Sequence, residues 1–239
     1  MGKFFGTSGA RGVTNKEITP ELALRVGYEW VLYLAEHYSP TGVLDLTIAH
    51  DNRHGAQMLA YAAIAGAQAA GAQVHFIGCA STGVMCSYMK DQGHEGGILI
   101  TGSHMSPERI GIIPMLGDGR YASASMTDSL EDRMGSAKTP CSCAQWDKVL
   151  PVDHSRGSGM AYLTSVARNV DVQSIFPRHF KVLLDPGNGT ACLVAKQLFE
   201  RLGCEVIMVN GTIKPVPDRK AEVRASTCTE AMSLVRTRG

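Results

Sequence analysis

Three things are scarce in this sequence. Aromatic residues make up 6% of its 239 residues. Neither sign of charge is in excess: 23 Lys+Arg face 22 Asp+Glu, a formal net charge of +1. Long apolar runs are missing as well, since the most apolar stretch, residues 58–78, is interrupted by Gln68, Gln73 and His75. The charge balance excludes a bulk electrostatic grip on nucleic acid or an anionic membrane surface, although a local anion site stays open. The interrupted stretch falls short of the roughly 20 nearly unbroken apolar residues of a spanning helix. The start, MGKFFGTSGARG, has neither the apolar region nor the small-residue cleavage site of a signal peptide. A cytoplasmic protein is therefore expected, with no nucleic acid and no membrane among its partners.

Small residues are abundant. The 26 glycines favour close helix-on-sheet packing and tight strand–helix turns, and 44% hydrophobic against 19% charged residues suits a globular core. Of the seven cysteines, Cys79, Cys86, Cys192 and Cys204 lie in apolar segments and read as small core residues. Cys141 and Cys143 form a CSC pair without the second ligand pair of a zinc site.

Hydrophobic periodicity alternates between strand and helix. Residues 18–38 open with Thr19 as N-cap and Pro20 at the first helical position, then carry an apolar stripe through Leu22, Val26, Trp30 and Leu34. Strands are predicted at 44–50, 72–78 and 96–101, separated by helices at 55–71 and 82–93. A Gly/Ser-rich stretch at about 114–155 holds one further helix near 125–135 and a linker. Then follow a helix at 159–170, a strand–Gly turn–helix–strand unit at 179–211 and a last helix at 226–238. The pattern predicts an α/β fold: a mixed, mostly parallel sheet sandwiched between helices (α/β/α), in two consecutive units over 1–150 and 155–239, the second incomplete. The second unit is expected to leave a strand edge unpaired and an apolar face exposed.

Four motifs can carry chemistry. In FGTSGARG, at 5–12, the glycines let successive N–H groups converge on one anion and Arg11 adds a bidentate fork; an N-terminal turn with an exposed arginine accounts for it equally well. In ITGSHMSPERIGI, at 100–112, Ser103 follows a buried-looking strand and sits beside His104. Ser106 and Pro107 there resemble a helix start, which would aim amides and a dipole at a phosphorylated Ser103. His104 could handle a proton or hold a phosphate oxygen. From spacing alone a capping serine and an ordinary loop histidine explain these residues at least as well. LLDPGNGTA, at 183–191, lacks the third glycine of a dinucleotide fingerprint and the lysine of a P-loop, and reads better as a structural turn. AHDNRHG, at 49–55, is either plain solvation or a device by which Asp51 and Arg53 pin the neighbouring turn.

Together these motifs resemble the α-D-phosphohexomutase superfamily, and the start is similar to its archaeal phosphoglucosamine/phosphomannomutase branch. TGSHMSPERIGI stands where that family has T-A-S-H-N-P-P-E-x-N-G-I-K, AHDNRHG matches its G-x-D-x-R segment, and LLDPGNGTA with LFERLGCEV matches the start of its second domain. The resemblance implies a phosphoryl shift between C1 and C6 of a hexose phosphate, with a phosphoserine and a bisphosphate intermediate. By position it makes Ser103 the phosphoserine, puts Arg11 near its phosphate, lets His104 support proton transfer, and has Thr7, Ser8, Gly9 and Arg109 bind phosphate. It further implies Mg²⁺ on the Ser103 phosphate and a hexose bisphosphate as activator. The departures are equally specific. No D-G-D-x-D-R segment for the metal occurs, and Met105, Ser106, Ile110 and Ile113 replace the family's Asn, Pro, Asn and Lys. The 239 residues are therefore expected to be the N-terminal part of such an enzyme, inactive alone and dependent on a second chain or on self-association. The alternative is a non-catalytic relic or sugar-phosphate binding module.

Overall fold

The computed structural model describes residues 4–6, 9–38, 42–136 and 143–238. The first part of the chain runs β1 (Phe5–Gly6), β2 (Gly9–Val13), α1 (Pro20–Tyr38), β3 (Asp45–His50), α2 (Ala56–Ala69), β4 (Gln73–Cys79), α3 (Thr82–Gln92), β5 (Gly96–Ile100), β6 (Arg109–Leu116) and α4 (Ala124–Ser136). The second runs α5 (Ser158–Arg168), α6 (Val172–Ile175), β7 (Lys181–Leu184), α7 (Ala195–Arg201), β8 (Glu205–Met208) and α8 (Thr229–Arg238). Six strands form one sheet in the order β1-β2-β6-β5-β3-β4, and β7 pairs with β8 in a second, small parallel sheet.

The large sheet is mixed, as the alternation predicts, but with a greater antiparallel share. Parallel pairing joins β4, β3 and β5, where helices make the crossovers. β6 returns antiparallel beside β5, and β2 and β1 follow antiparallel outside it. The reason lies at residues 101–108. The helix start expected at Ser106 and Pro107 does not form; those residues sit in a turn, and Arg109 begins a strand. A short turn can only reverse the chain, whereas a parallel neighbour needs a crossover of a dozen residues or more.

Strand alternation divides the core between the two faces of the sheet. Ile98, Ile100, Ile110 and Ile112 pack with Val26, Trp30 and Leu34 of α1 and Leu59 of α2. Leu99, Ile113 and Met115 point the other way, onto Val84, Met85 and Met89 of α3. All five residues of β5 are buried, as befits a strand covered on both sides. The Thr19 hydroxyl accepts from the Leu22 amide at 3.3 Å and so caps α1 as expected. Helices α1 and α2 cross backbone on backbone. A Cβ at Gly66 would lie 1.9 Å from the Leu24 carbonyl oxygen, and one at Gly27 2.2 Å from that of Ala63. Around β7 and β8 burial is thinner: Val182, Leu183, Ile207, Leu234 and Val235 border an open apolar hollow of about 360 Å³.

Gly66→Val should therefore push α1 off α2. Overpacking of this kind costs about 1–3 kcal/mol. It should appear as a lower urea midpoint at unchanged slope, and an unchanged midpoint would refute the close-packed crossing.

Candidate active site at the serine turn

The end of β5 passes into a turn that begins at Thr101, and this turn is organised from outside by Asp51 and Arg53, just past the end of β3. One Asp51 oxygen accepts from the Thr101 hydroxyl at 2.9 Å and the Gly102 amide at 2.8 Å; the other accepts from the Arg53 amide at 3.0 Å. The Arg53 guanidinium, 3.3 Å from Asp51, donates to the carbonyls of Ser103 (2.8 Å), Met105 (2.7 Å) and Arg109 (2.9 Å), and also to that of Ser106. It packs directly against Gly102, where a Cβ would stand 2.3 Å from the guanidinium carbon. Burial lowers the Arg53 pKa, and the charges of Asp51 and Glu108 oppose that shift. Of the two readings open for AHDNRHG, the structure shows the pin.

Held this way, Ser103 takes a left-handed backbone (φ 52°), a conformation non-glycine residues adopt infrequently. Its side chain is exposed, and its Oγ lies 3.3 Å from Nδ1 of His104. Its amide donates to the Thr101 hydroxyl at 3.0 Å. Arg11 arrives through the sheet. It pairs with Gly111 across β2 and β6, and Gly111 exchanges two backbone bonds with Thr101. Because Gly111 has no side chain, Arg11 lies over it: its Cγ would be 3.0 Å from a Cβ there.

The other expected residues divide. Gly9 opens β2 at φ 93°, tight against the Ile112 carbonyl, in a structural position. Arg109 starts β6, and its guanidinium is 3.9 Å from a Glu17 carboxylate oxygen. Thr7 and Ser8 lie outside the described residues.

The serine turn opens onto a cleft of about 320 Å³ between the two parts of the chain. Arg53, Thr101 and Ser103 line one side, the first residues of α3 border it, and Asn188, Thr190 and Lys214 line the other. The DPGNG turn is held largely by the segment 210–219 that folds against it. Asp185 accepts from the Gly187 amide (3.0 Å), Asn210 Nδ2 (3.1 Å) and Arg219 Nε (2.8 Å). Burial raises the Asp185 pKa, but these donors outweigh it and the net shift is downward. Asn188 is buried and bonded to Thr212 and Asp218. Its carbonyl, with that of Lys214, accepts from Asn52, which stitches the two sides together. Asn52 and Lys214 went unmarked in the sequence because their partners are 136 residues and more away.

The Mg²⁺ implied by resemblance finds little here. Asp51 is committed to the turn, and among the described residues no group of three potential ligands gathers at Ser103. One such group does exist, Asp45 with His75 and His94, at the opposite end of the sheet. Among the described residues no helix is long and apolar enough to cross a membrane.

Residues 2–140 match domain I, and residues 160–239 domain II, of the phosphoglucomutase/phosphomannomutase alpha/beta/alpha domains. The phosphoglucosamine/phosphogalactosamine mutase of Sulfurisphaera tokodaii is 28% identical over 240 residues, which is 99% of this chain and 51% of that protein. The phosphoglucosamine mutase of Caldicellulosiruptor saccharolyticus is 32% identical over 218 residues, 88% of this chain and 46% of that protein. The chain thus spans about half the length of the curated relatives it matches. Among solved structures, parafusin from Paramecium, a phosphoglucomutase, superposes with TM-score 0.80 at 19% identity over 96% of this chain and 47% of its own. A phosphoglucomutase/phosphomannomutase family protein of Burkholderia thailandensis gives TM-score 0.78 at 21% identity, over 98% and 50% respectively.

Arg53→Lys should release the turn without disturbing the sheet. Amide exchange at Gly102, Ser103 and Met105 should accelerate by about tenfold or more, the equivalent of one lost charge-assisted bond, while β3 and β5 keep their protection. Unchanged exchange at those three amides would remove Arg53 from this role.

Proposed function

Since the chain belongs to the phosphoglucomutase/phosphomannomutase family, we propose that it carries the phosphoserine half of a phosphohexomutase, exchanging a phosphoryl group between Ser103 and a hexose phosphate. The observation that carries this reading is the clamped serine: an exposed Oγ on a left-handed residue, fixed by the four-carbonyl grip of Arg53 and facing the cleft. Phosphoryl transfer asks the protein for positioning and charge neutralisation more than for covalent chemistry, and a preset serine meets the first demand.

In the loading step Ser103 Oγ bonds to a phosphorus of a hexose bisphosphate as the ester bond to the sugar oxygen breaks. The serine proton leaves to His104, whose Nδ1 is within reach at 3.3 Å, and the departing sugar oxygen takes up a proton. The reverse transfer, to the other hydroxyl of a hexose monophosphate, completes a C1-to-C6 shift. In this reading Arg11, which packs over Gly111, neutralises phosphate charge, while Lys214 lines the far wall with its ammonium paired to Asp218 at 2.6 Å. Mg²⁺ on the phosphoserine would supply further charge neutralisation. The described residues give it no carboxylate set, and the 239-residue chain alone is not expected to turn over substrate.

Incubation of the chain with a labelled hexose 1,6-bisphosphate should leave one phosphoryl group on Ser103, located by mass spectrometry. Ser103→Ala should abolish the label and His104→Gln should slow its appearance by about a hundredfold, the usual scale of general acid–base assistance. Label on another residue, or bisphosphate bound without any transfer, would overturn the proposal in favour of a sugar-phosphate binding module. Sustained mutase turnover by the isolated chain would overturn its dependence on further residues.

A further inference from the structure

The amino-terminal ends of the parallel strands hold a second polar centre with no part in the serine chemistry. Asp45 is the first residue of β3, His75 lies near the start of β4, and His94 sits in the turn before β5. Each offers one ligand atom, and these atoms all lie within 4.8 Å of one another. A single ion at about 2.0–2.2 Å from each could bridge them after a small inward adjustment.

The surroundings are those of a ligand set with its outer supports in place. His75 Nδ1 is 2.9 Å from the Asp153 carboxylate, whose same oxygen accepts from the Ser155 hydroxyl at 2.6 Å. Ser155 in turn accepts from the Tyr88 hydroxyl at 2.7 Å. A carboxylate on the far nitrogen of an imidazole fixes its tautomer and orientation and raises its basicity, the usual outer shell of a metal-bound histidine. His94 Nδ1 is 2.7 Å from the Thr47 hydroxyl, and the two imidazoles stack at 4.1 Å. His75 Nε2 is 2.6 Å from Asp45, a contact an ion would replace with two bonds. The floor is buried at His94 while His75 (17%), Asp45 (43%) and Asp153 (50%) keep side-chain exposure, so an ion can enter from solvent.

We propose that Asp45, His75 and His94 form a binding site for a divalent transition-metal ion of the zinc type, with Asp153 and Thr47 as outer-shell supports and water completing the coordination. Two imidazoles and one carboxylate match the preference of such ions and not that of Mg²⁺, which selects oxygen donors. The ion would tie β3, β4 and the turn before β5 together, and through Asp153 the segment leading to the second unit.

The test uses the 239-residue chain, reduced with a phosphine so that its thiols stay free of disulfides. Zinc is titrated against a chromophoric chelator, and Co²⁺ serves as a spectroscopic probe. One equivalent of zinc should bind and raise the melting temperature. Co²⁺ should give the visible bands of a four-coordinate nitrogen/oxygen site. Asp45→Asn and His75→Ala should each weaken zinc by about a hundredfold, and Asp153→Asn, which touches no ion, by about tenfold. Absence of a bound equivalent, a thiolate-to-cobalt charge-transfer band, or wild-type affinity in Asp45→Asn and Asp153→Asn would each overturn the proposal.

Discussion

The architecture of the candidate site depends on one ion pair. Asp51 and Arg53 share the work of holding the serine turn. The carboxylate takes the donors at its start, and the guanidinium takes the acceptors along the rest of it. A turn with no helix or strand of its own would otherwise leave its backbone polar groups to water and sample many shapes. Both side chains are about nine-tenths buried, so they interact in a medium where the pairing is stronger than at the surface, and every lost partner is costly. The geometry also explains the glycine before Ser103. Only a residue without a side chain lets the guanidinium lie on the backbone it grips.

Much of this was legible in the sequence, and the misses have physical causes. The helices were recognisable from period and caps, as at Thr19 and Pro20, because helical signals are local. The β3–α2–β4–α3–β5 alternation was recognisable for the same reason. The strand β6 was not. Its run of apolar residues follows Ser106 and Pro107, which carry a helix-start signal as well as a turn signal, and only the demand of β5 for a second neighbour decides between them. Asp51 and Arg53 could be named as a pin, but not the carbonyls they reach, since those bonds span some fifty residues.

The polar centre at the other end of the sheet had no sequence signal at all. His75 reads only as an interruption in an apolar stretch, and nothing in the sequence around His94 marks it. Parallel pairing aligns Asp45, His75 and the turn before β5 because the three strands begin level with one another. The same alignment sends their carboxyl ends, and with them Asp51 and the serine turn, to the opposite rim. One sheet thus keeps two polar centres a full strand length apart, separated by a dry interior of Ile48, Ile98 and Leu99.

The strand at the margin of that sheet bears on how the molecule behaves in company. β4 is the outermost of the parallel strands, and an outermost strand invites any extended polypeptide to add on. Here the chain occupies that place itself. The Asp153 amide donates to the Val74 carbonyl and the Phe76 amide donates to that of Asp153, so a short piece of the connecting segment runs alongside β4. What joins the two units is also a guard rail: it denies foreign strands a foothold on that flank.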